Sequence, residues 1–426
     1  MIWLFVIMLL LFALGTPIAW SIAASAAVYM AAGPHVPLQG MVQRMVGGID
    51  TFPLLAIPFF ILAGNLMNTG GITDRLVTFA KALVGHITGG LAHVVVVTNM
   101  IMAGMSGSGV ADAAGTGTIL IPAMKKAGYP VPFSAAIVAS AGTIGPIVPP
   151  SIPFVIYGSI ASVSIGRLLL AGAIPGVITG ICLMIFVYFI ARRRGYPADR
   201  RTSCGELARA TLRAIPPMGM PAIILGGIIF GVMTPTEAAA AGAAYGFILG
   251  FFVYREIKLS QLPRIVTESA IGTAAIVIIM SAAQPFAWVL TFEQAPMKVL
   301  TFFENAHLAQ WQLLLVLNVI LLVLGLVMEG LAVMIMSVPI LMPLIQHAGI
   351  DPVHFGVIFV LNIMIGAITP PVGTIMYVVC LLNKVSVAQF AREAWPFIIS
   401  LIVALLLVTY IPELSLWLPN LVMPAK

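Results

Sequence analysis

Apolar stretches close to the roughly 20 residues a helix needs to cross a bilayer recur from end to end of this chain, among them Leu168 to Ile190, Trp311 to Met328 and Pro396 to Leu418. A lipid-facing backbone must satisfy its own hydrogen bonds, which leaves helices and closed barrels. The run lengths and the lack of period-two alternation exclude a transmembrane barrel. An all-α integral membrane protein follows, and composition agrees: 61% of residues are hydrophobic and 8% charged, against about 25% charged in soluble domains. The surplus of 20 Lys and Arg over 14 Asp and Glu would suggest a nucleic-acid partner in a soluble protein. Here it is read as topology, and no nucleic acid is expected.

Cys182, Cys204 and Cys380 have no metal-type spacing, so neither a disulfide nor a metal cluster is expected. The segment Met1 to Leu14 lacks a positive leading region and is read as a membrane helix rather than a signal peptide.

An internal repeat organises the chain. The run from Gly104 to Ala111, continuing through Ile121-Pro122 and Ala127-Gly128, aligns without a gap on Gly325 to Ala332, Met342-Pro343 and Ala348-Gly349, at a constant offset of 221. The same offset carries Gly145 onto Gly366 and Pro149-Pro150 onto Pro370-Pro371. Thr16-Pro17 matches Thr234-Pro235 at 218. Residues 1–195 and 213–426 are therefore read as two repeats joined by a basic cytoplasmic linker over 196–212.

Each repeat reads as scaffold helices, an amphipathic arm (72–89 and 293–308), a re-entrant hairpin (91–124 and 311–346), a Pro-broken helix (131–164 and 353–382) and a long closing helix (168–191 and 395–418). Five crossings per repeat invert the second relative to the first. The positive-inside rule tests this. With Arg192 to Arg213 in the cytoplasm, 16 of the 20 Lys and Arg fall on that side, leaving Arg44, Arg167, Lys298 and Lys426 outside. Both termini then face out, the first hairpin opens inward and the second outward, the geometry of an alternating-access carrier.

Residues 104–117 hold five glycines together with Ser106, Ser108, Asp112 and Thr116. This is too polar and too flexible for a lipid-facing helix and reads as a hairpin tip, where exposed carbonyls and hydroxyls suit a cation and a helix N-terminus suits a carboxylate. The prolines of 142–151 break a helix at membrane depth, and such backbone persists only where it is buried or lines a cavity. The second repeat supplies Met328-Glu329-Gly330 and residues 366–374. Asp112 and Glu329 are acids within the membrane, which cost about 2.5–3.5 kcal/mol each on insertion scales and are functional by default. Glu237 reads as a capping-box residue.

The motifs Gly104-Met-Ser-Gly-Ser-Gly-Val-Ala-Asp-Ala-Ala-Gly115, Gly142-Thr-Ile-Gly-Pro-Ile-Val-Pro-Pro-Ser151 and Ile368-Thr-Pro-Pro-Val-Gly373 resemble those of the large membrane subunit of TRAP transporters, and the likeness covers essentially the whole chain. The resemblance implies an elevator-type transporter of the bacterial inner membrane that needs no cofactor beyond Na⁺ as coupling ion. It further implies a small four-helix membrane subunit, here expected as a separate chain, and a periplasmic solute-binding protein delivering a small organic acid. Family sodium sites carried onto this sequence fall at Ser106, Gly107, Ser108, Gly142, Thr143, Gly145, Val148 and Pro149, and at Gly325, Met328, Glu329, Gly330, Gly366, Thr369 and Pro370. Substrate contacts fall at Ser108, Asp112, Ser151, Gly330, Gly373 and Thr374.

Three rivals remain: a stand-alone Na⁺-coupled dicarboxylate or anion carrier, a passive channel, and an intramembrane serine protease. The last rests on Gly104-Met-Ser106-Gly107, which needs a histidine base. His93 lies 13 residues from Ser106, or about 20 Å along a helix.

Overall fold

The structure, a computed structural model, describes residues 2–32 and 39–424. Lys426, expected outside the membrane, lies beyond the described residues. All regular structure among them is helical, and eight helices are long and apolar enough to cross a membrane.

In the first half, α1 (Ile2–Ala13) and α2 (Ile18–Ala32) form an antiparallel pair followed by a short helix, α3 (Gln39–Gly47). Then come α4 (Ala56–Thr69) and α5 (Ile72–Val84), the latter being the amphipathic arm. The hairpin is α6 (Gly90–Ser106) and α7 (Gly109–Lys126); the broken helix is α8 (Val131–Gly142) and α9 (Ile152–Ala161); α10 (Ile165–Arg194) closes the half. The second half runs α11 (Cys204–Ile229), α12 (Pro235–Ile248), α13 (Leu262–Phe292) and the arm α14 (Ala295–Asn305). Its hairpin is α15 (Gln310–Val327) and α16 (Gly330–His347), its broken helix α17 (Pro352–Gly366) and α18 (Thr374–Asn383). Two helices end the chain, α19 (Val387–Tyr410) and α20 (Glu413–Val422).

Three boundaries depart from the sequence reading. The segment read as a linker over 196–212 is helical from Cys204, because Ser203 and Glu206 form a reciprocal capping box that starts α11 there. The closing helix read over 395–418 is two helices, because Pro412 cannot donate to the ladder and α19 ends before it. Helix α3 was not anticipated at all. Thr234 and Glu237 form a capping box at the start of α12, as read.

Two packed groups emerge. Helices α2, α4, α12 and α13 pack on one another across the two halves, α4 against α12 most extensively. Helices α6 to α9 and α15 to α18 form the other group, with α10 and α19 against them. Arm α5 packs on α6, and arm α14 on α16, so each arm meets its own half's hairpin. The interior is almost wholly aliphatic and aromatic, with Phe133, Phe154, Tyr157, Phe355 and Phe359 sealed within the hairpin group. Close packing holds such a group as one body. Ion pairs Arg75–Glu256 at 2.9 Å, Lys81–Asp199 at 3.2 Å and Arg194–Glu393 at 2.7 Å involve residues of the face rich in basic residues.

Candidate functional site

The first hairpin tip is built by capping at both ends of a two-residue turn. Helix α6 ends at Gly107, whose φ of 61° is a left-handed conformation that glycine adopts without strain. Ser108 is extended and starts α7, its Oγ accepting from the backbone N–H of Ala111 at 3.5 Å. Ser106 Oγ accepts from the Ser108 N–H at 3.2 Å and donates to Asp112 Oδ1 at 2.5 Å. Asp112 is fully buried, and its Oδ2 has no hydrogen-bond partner. That oxygen faces Gly145: a Cβ built there would stand 2.5 Å from it.

Tip and break are in backbone contact. A Cβ on Gly109 would lie 2.7 Å from the carbonyl oxygen of Gly142, and one on Gly142 would lie 2.8 Å from that of Gly109. At Gly107 it would lie 2.6 Å from the Pro150 carbonyl oxygen. Any side chain would push the two apart. The structure thus brings Ser106, Gly107, Ser108, Gly142 and Gly145 together with Asp112. Thr143 lies in the break with its hydroxyl donating to Ser140 O at 2.6 Å, leaving oxygen lone pairs. Pro149 lies beside the tip, its carbonyl oxygen 3.8 Å from the Cβ position of Gly104. Val148 turns its side chain to Gly176 of α10 and away from the tip.

The second tip is built differently. Helix α15 ends at Val327, and Glu329 caps α16 with Oε2 accepting from Leu331 N–H at 2.9 Å and Ala332 N–H at 3.1 Å. Gly366 meets Gly325 backbone to backbone, a Cβ there falling 2.7 Å from the Gly325 carbonyl oxygen. Gly330 faces the Ile363 side chain, 3.0 Å from the Cβ position. Thr369 donates to Ile365 O at 2.7 Å. Met328 is buried beside the turn, and Pro370 follows Thr369 in the break.

Both tips and both breaks converge on one cavity of about 110 Å³, lined among others by Ser108, Glu329, Thr374, Ile276, Met364 and Ile375. Gly330 and Gly373 sit next to lining residues in the chain. Of the other expected substrate contacts, Asp112 and Ser151 are likewise not among its lining residues, although Ser151 adjoins the lining residue Ile152. Asp112 is enclosed behind the first tip, and Ser151 is fully buried as the cap of α9, donating to Pro146 O and accepting from Phe154 N–H at 3.3 Å. An Ser-x-x-Phe step at a helix start is a local cap first, which residue type alone did not reveal.

Sequence reasoning missed Asn99, which together with Thr116 braces the first tip from behind. Asn99 Nδ2 donates to Thr116 Oγ1 at 3.2 Å, and Thr116 Oγ1 lies 2.7 Å from Asp112 O. An Asn in a largely apolar helix was the available signal. Serine–histidine chemistry finds no support here, since the Ser106 hydroxyl is bonded to Asp112 rather than to an imidazole.

Comparison with known proteins fits this geometry. The family model described as "Tripartite ATP-independent periplasmic transporter, DctM component" matches residues 5–414. The chain is 42% identical over 412 residues to the large permease protein of a sialic acid TRAP transporter from Vibrio cholerae, covering 97% of this chain and 96% of that one. It is 43% identical over 371 residues to the large permease protein of a C4-dicarboxylate TRAP transporter from Pseudomonas aeruginosa, covering 87% of each. Among solved structures, the YdaH transporter of Alcanivorax borkumensis shares the fold at a TM-score of 0.64 with 14% identity, over 95% of this chain and 98% of that one. With a helical membrane fold, two glycine-tipped hairpins and a family match over nearly its whole length, this chain belongs to the DctM family, the large permease components of TRAP transporters.

Proposed function

We propose that this subunit carries a small organic acid into the cytoplasm by a Na⁺-coupled elevator mechanism, receiving it from a periplasmic binding protein and working with a small four-helix membrane subunit supplied as a separate chain. The observation that supports this best is the buried, partnerless Asp112 Oδ2 beside Ser106 and Gly145. An ionised carboxylate oxygen left unpaired in a membrane interior is costly, and a cation in the space it faces would offset that cost. On this reading Asp112 joins Ser106, Gly107, Ser108, Gly142, Thr143, Gly145 and Pro149 as a first Na⁺ site rather than touching substrate. Glu329, with backbone of Gly325, Met328, Gly330, Gly366, Thr369 and Pro370, forms the second. The acid lies in the cavity between them, near Ser108 and Thr374, with the α16 N-terminus at Gly330 toward its carboxylate.

The two halves act as inverted repeats. α16 begins and ends at the positions offset by 221 from the ends of α7, which supports the equivalence of the hairpins. Arms α5 and α14 then join a static group around α4 and α12 to a moving hairpin group. Both termini lie outside, with the basic loops in the cytoplasm. Two Na⁺ with one carboxylate would carry net positive charge inward, each such charge gaining about 2.3 kcal/mol per 100 mV.

Uptake into proteoliposomes holding both membrane subunits tests the scheme, with and without the binding protein and with K⁺ replacing Na⁺. A requirement for both supports it. Uptake without the binding protein favours the stand-alone carrier, and uptake indifferent to Na⁺ overturns the cation sites.

A further inference from the structure

A second, larger cavity of about 590 Å³ stacks on the first along the same three helices. On α13, Ile276 lines the inner cavity and Met280, Gln284 and Trp288 line the outer one. Leu331 and then Ile335 and Pro339 do the same on α16, and Pro153 and then Ser159 on α9. Successive turns separate the two sets, so the outer cavity starts about 6–9 Å from the inner one and its rim at Trp288 stands about 18 Å away. Its lining mixes apolar side chains such as Met280, Ile335 and Pro339 with the polar Arg44, Thr51, Gln284 and Thr291.

Arg44 distinguishes this rim. Its guanidinium carbon sits 4.1 Å from the centroid of the Trp288 ring. Stacking holds the plane flat and leaves the N–H edge free for a carboxylate. Among the described residues no acid lies within salt-bridge distance of Arg44, whereas Lys298 meets Glu293 at 4.0 Å and Arg167 meets Asn420 at 2.7 Å. Nor is Arg44 needed to fasten α3, which Ser281 Oγ already ties to α13 by donating to Met45 O at 3.0 Å. A planar, exposed cation with no acid partner among the described residues, lining a partly polar cavity, is suited to carboxylate capture.

We infer that Arg44, stacked on Trp288, is the anion-holding group of an entry subsite that takes the carboxylate of an arriving organic acid before it descends along α13 to the inner cavity. This rests on the functional reading above, in which the face bearing α3 looks outward and the solute is a carboxylate. Orientation and charge cooperate: the outer face carries few cations, so one free guanidinium at the vestibule mouth defines where an anion pauses.

The test is binding rather than transport. The full-length chain in lipid nanodiscs is titrated with succinate and with N-acetylneuraminate, and with succinamide as an uncharged control, following Trp fluorescence. A response to at least one acid and none to succinamide is expected. It should vanish in Trp288→Phe, weaken about tenfold in half-saturating concentration in Arg44→Gln, the loss of one charge-assisted contact, and recover in part in Arg44→Lys. No response to either acid, or an equal response in Arg44→Gln, overturns the inference. Because no gradient or binding protein is involved, a lost signal with Na⁺-driven uptake intact sinks the subsite alone. A signal that survives while uptake ignores Na⁺ leaves the subsite standing and sinks the coupling.

Discussion

The two hairpin tips share helix lengths and a glycine contact with their broken helices, yet they hold their carboxylates in opposite ways. In the first, Asp112 is sealed inside the protein, one oxygen bonded to Ser106 and the other partnerless. In the second, the positions offset by 221 from Ser106 and Asp112 are the half-exposed Val327 and the buried Val333, so no such polar pair forms there. The acid moves to the turn itself, where Glu329 caps its own helix and borders the cavity. One carboxylate keeps an oxygen unpaired within the protein body; the other is half spent on local structure. The lesson is that a common backbone device can carry two electrostatic designs.

Substitutions that treat the two tips alike should therefore give unlike results. The largest difference is expected for charge removal: Asp112→Asn should raise the Na⁺ concentration for half-maximal uptake about 100-fold, the loss of a buried charge-assisted contact set worth about 2.7 kcal/mol. A Na⁺ titration in proteoliposomes checks this, and wild-type affinity would break the comparison. Next, Gly142→Ala should destabilise the detergent-solubilised protein by about 2 kcal/mol, because the new methyl meets a backbone carbonyl that cannot yield. Gly330→Ala should cost about 1 kcal/mol, because its methyl would stand 3.0 Å from Ile363 Cβ, a contact that a shift of a few tenths of an ångström relieves; thermal unfolding of the pair measures the gap.

Ser106→Ala strands Asp112 Oδ1 as well and should cost about tenfold in Na⁺ affinity. The smallest effect belongs to Glu329→Gln. The amide oxygen can still accept from Leu331 and Ala332, so only the charge is lost, and about a fivefold weakening is expected. If Glu329→Gln proves as severe as Asp112→Asn, the cap is incidental and the two tips are equivalent.

Much of this architecture was legible because membrane helices announce themselves by length and their interruptions by glycine and proline. The tips at Gly107 and Glu329 and the breaks at residues 142–151 and 366–374 fall where that punctuation stands. What stayed hidden was local chemistry competing with function. Ser151 looks like a solute contact in a polar, proline-rich run, but its hydroxyl is spent on Pro146 and Phe154. Asp112 reads as a substrate contact, yet its second oxygen faces Gly145, a relation between hairpin and break that spacing cannot encode. Helix α3 escaped because nine residues with Gly, Gln and Arg among them carry too short a periodic signal. The capping box at Ser203 and Glu206, by contrast, was in plain view and would have started α11 correctly.

The carbonyl-to-glycine contacts at Gly109 with Gly142 and at Gly325 with Gly366 have a bearing on how such a protein changes its diet. With no side chain between them, the parts that would hold ions are gauged by covalent geometry alone and tolerate no adjustment. The cavity wall at Ile276 and Met364 is made of exchangeable side chains, whereas Ile375 abuts the first contact, its Cδ1 2.8 Å from the Cβ position of Gly109. A lineage can therefore re-tailor the wall to a new solute by ordinary apolar substitutions while the glycine contacts between tips and breaks are inherited unaltered.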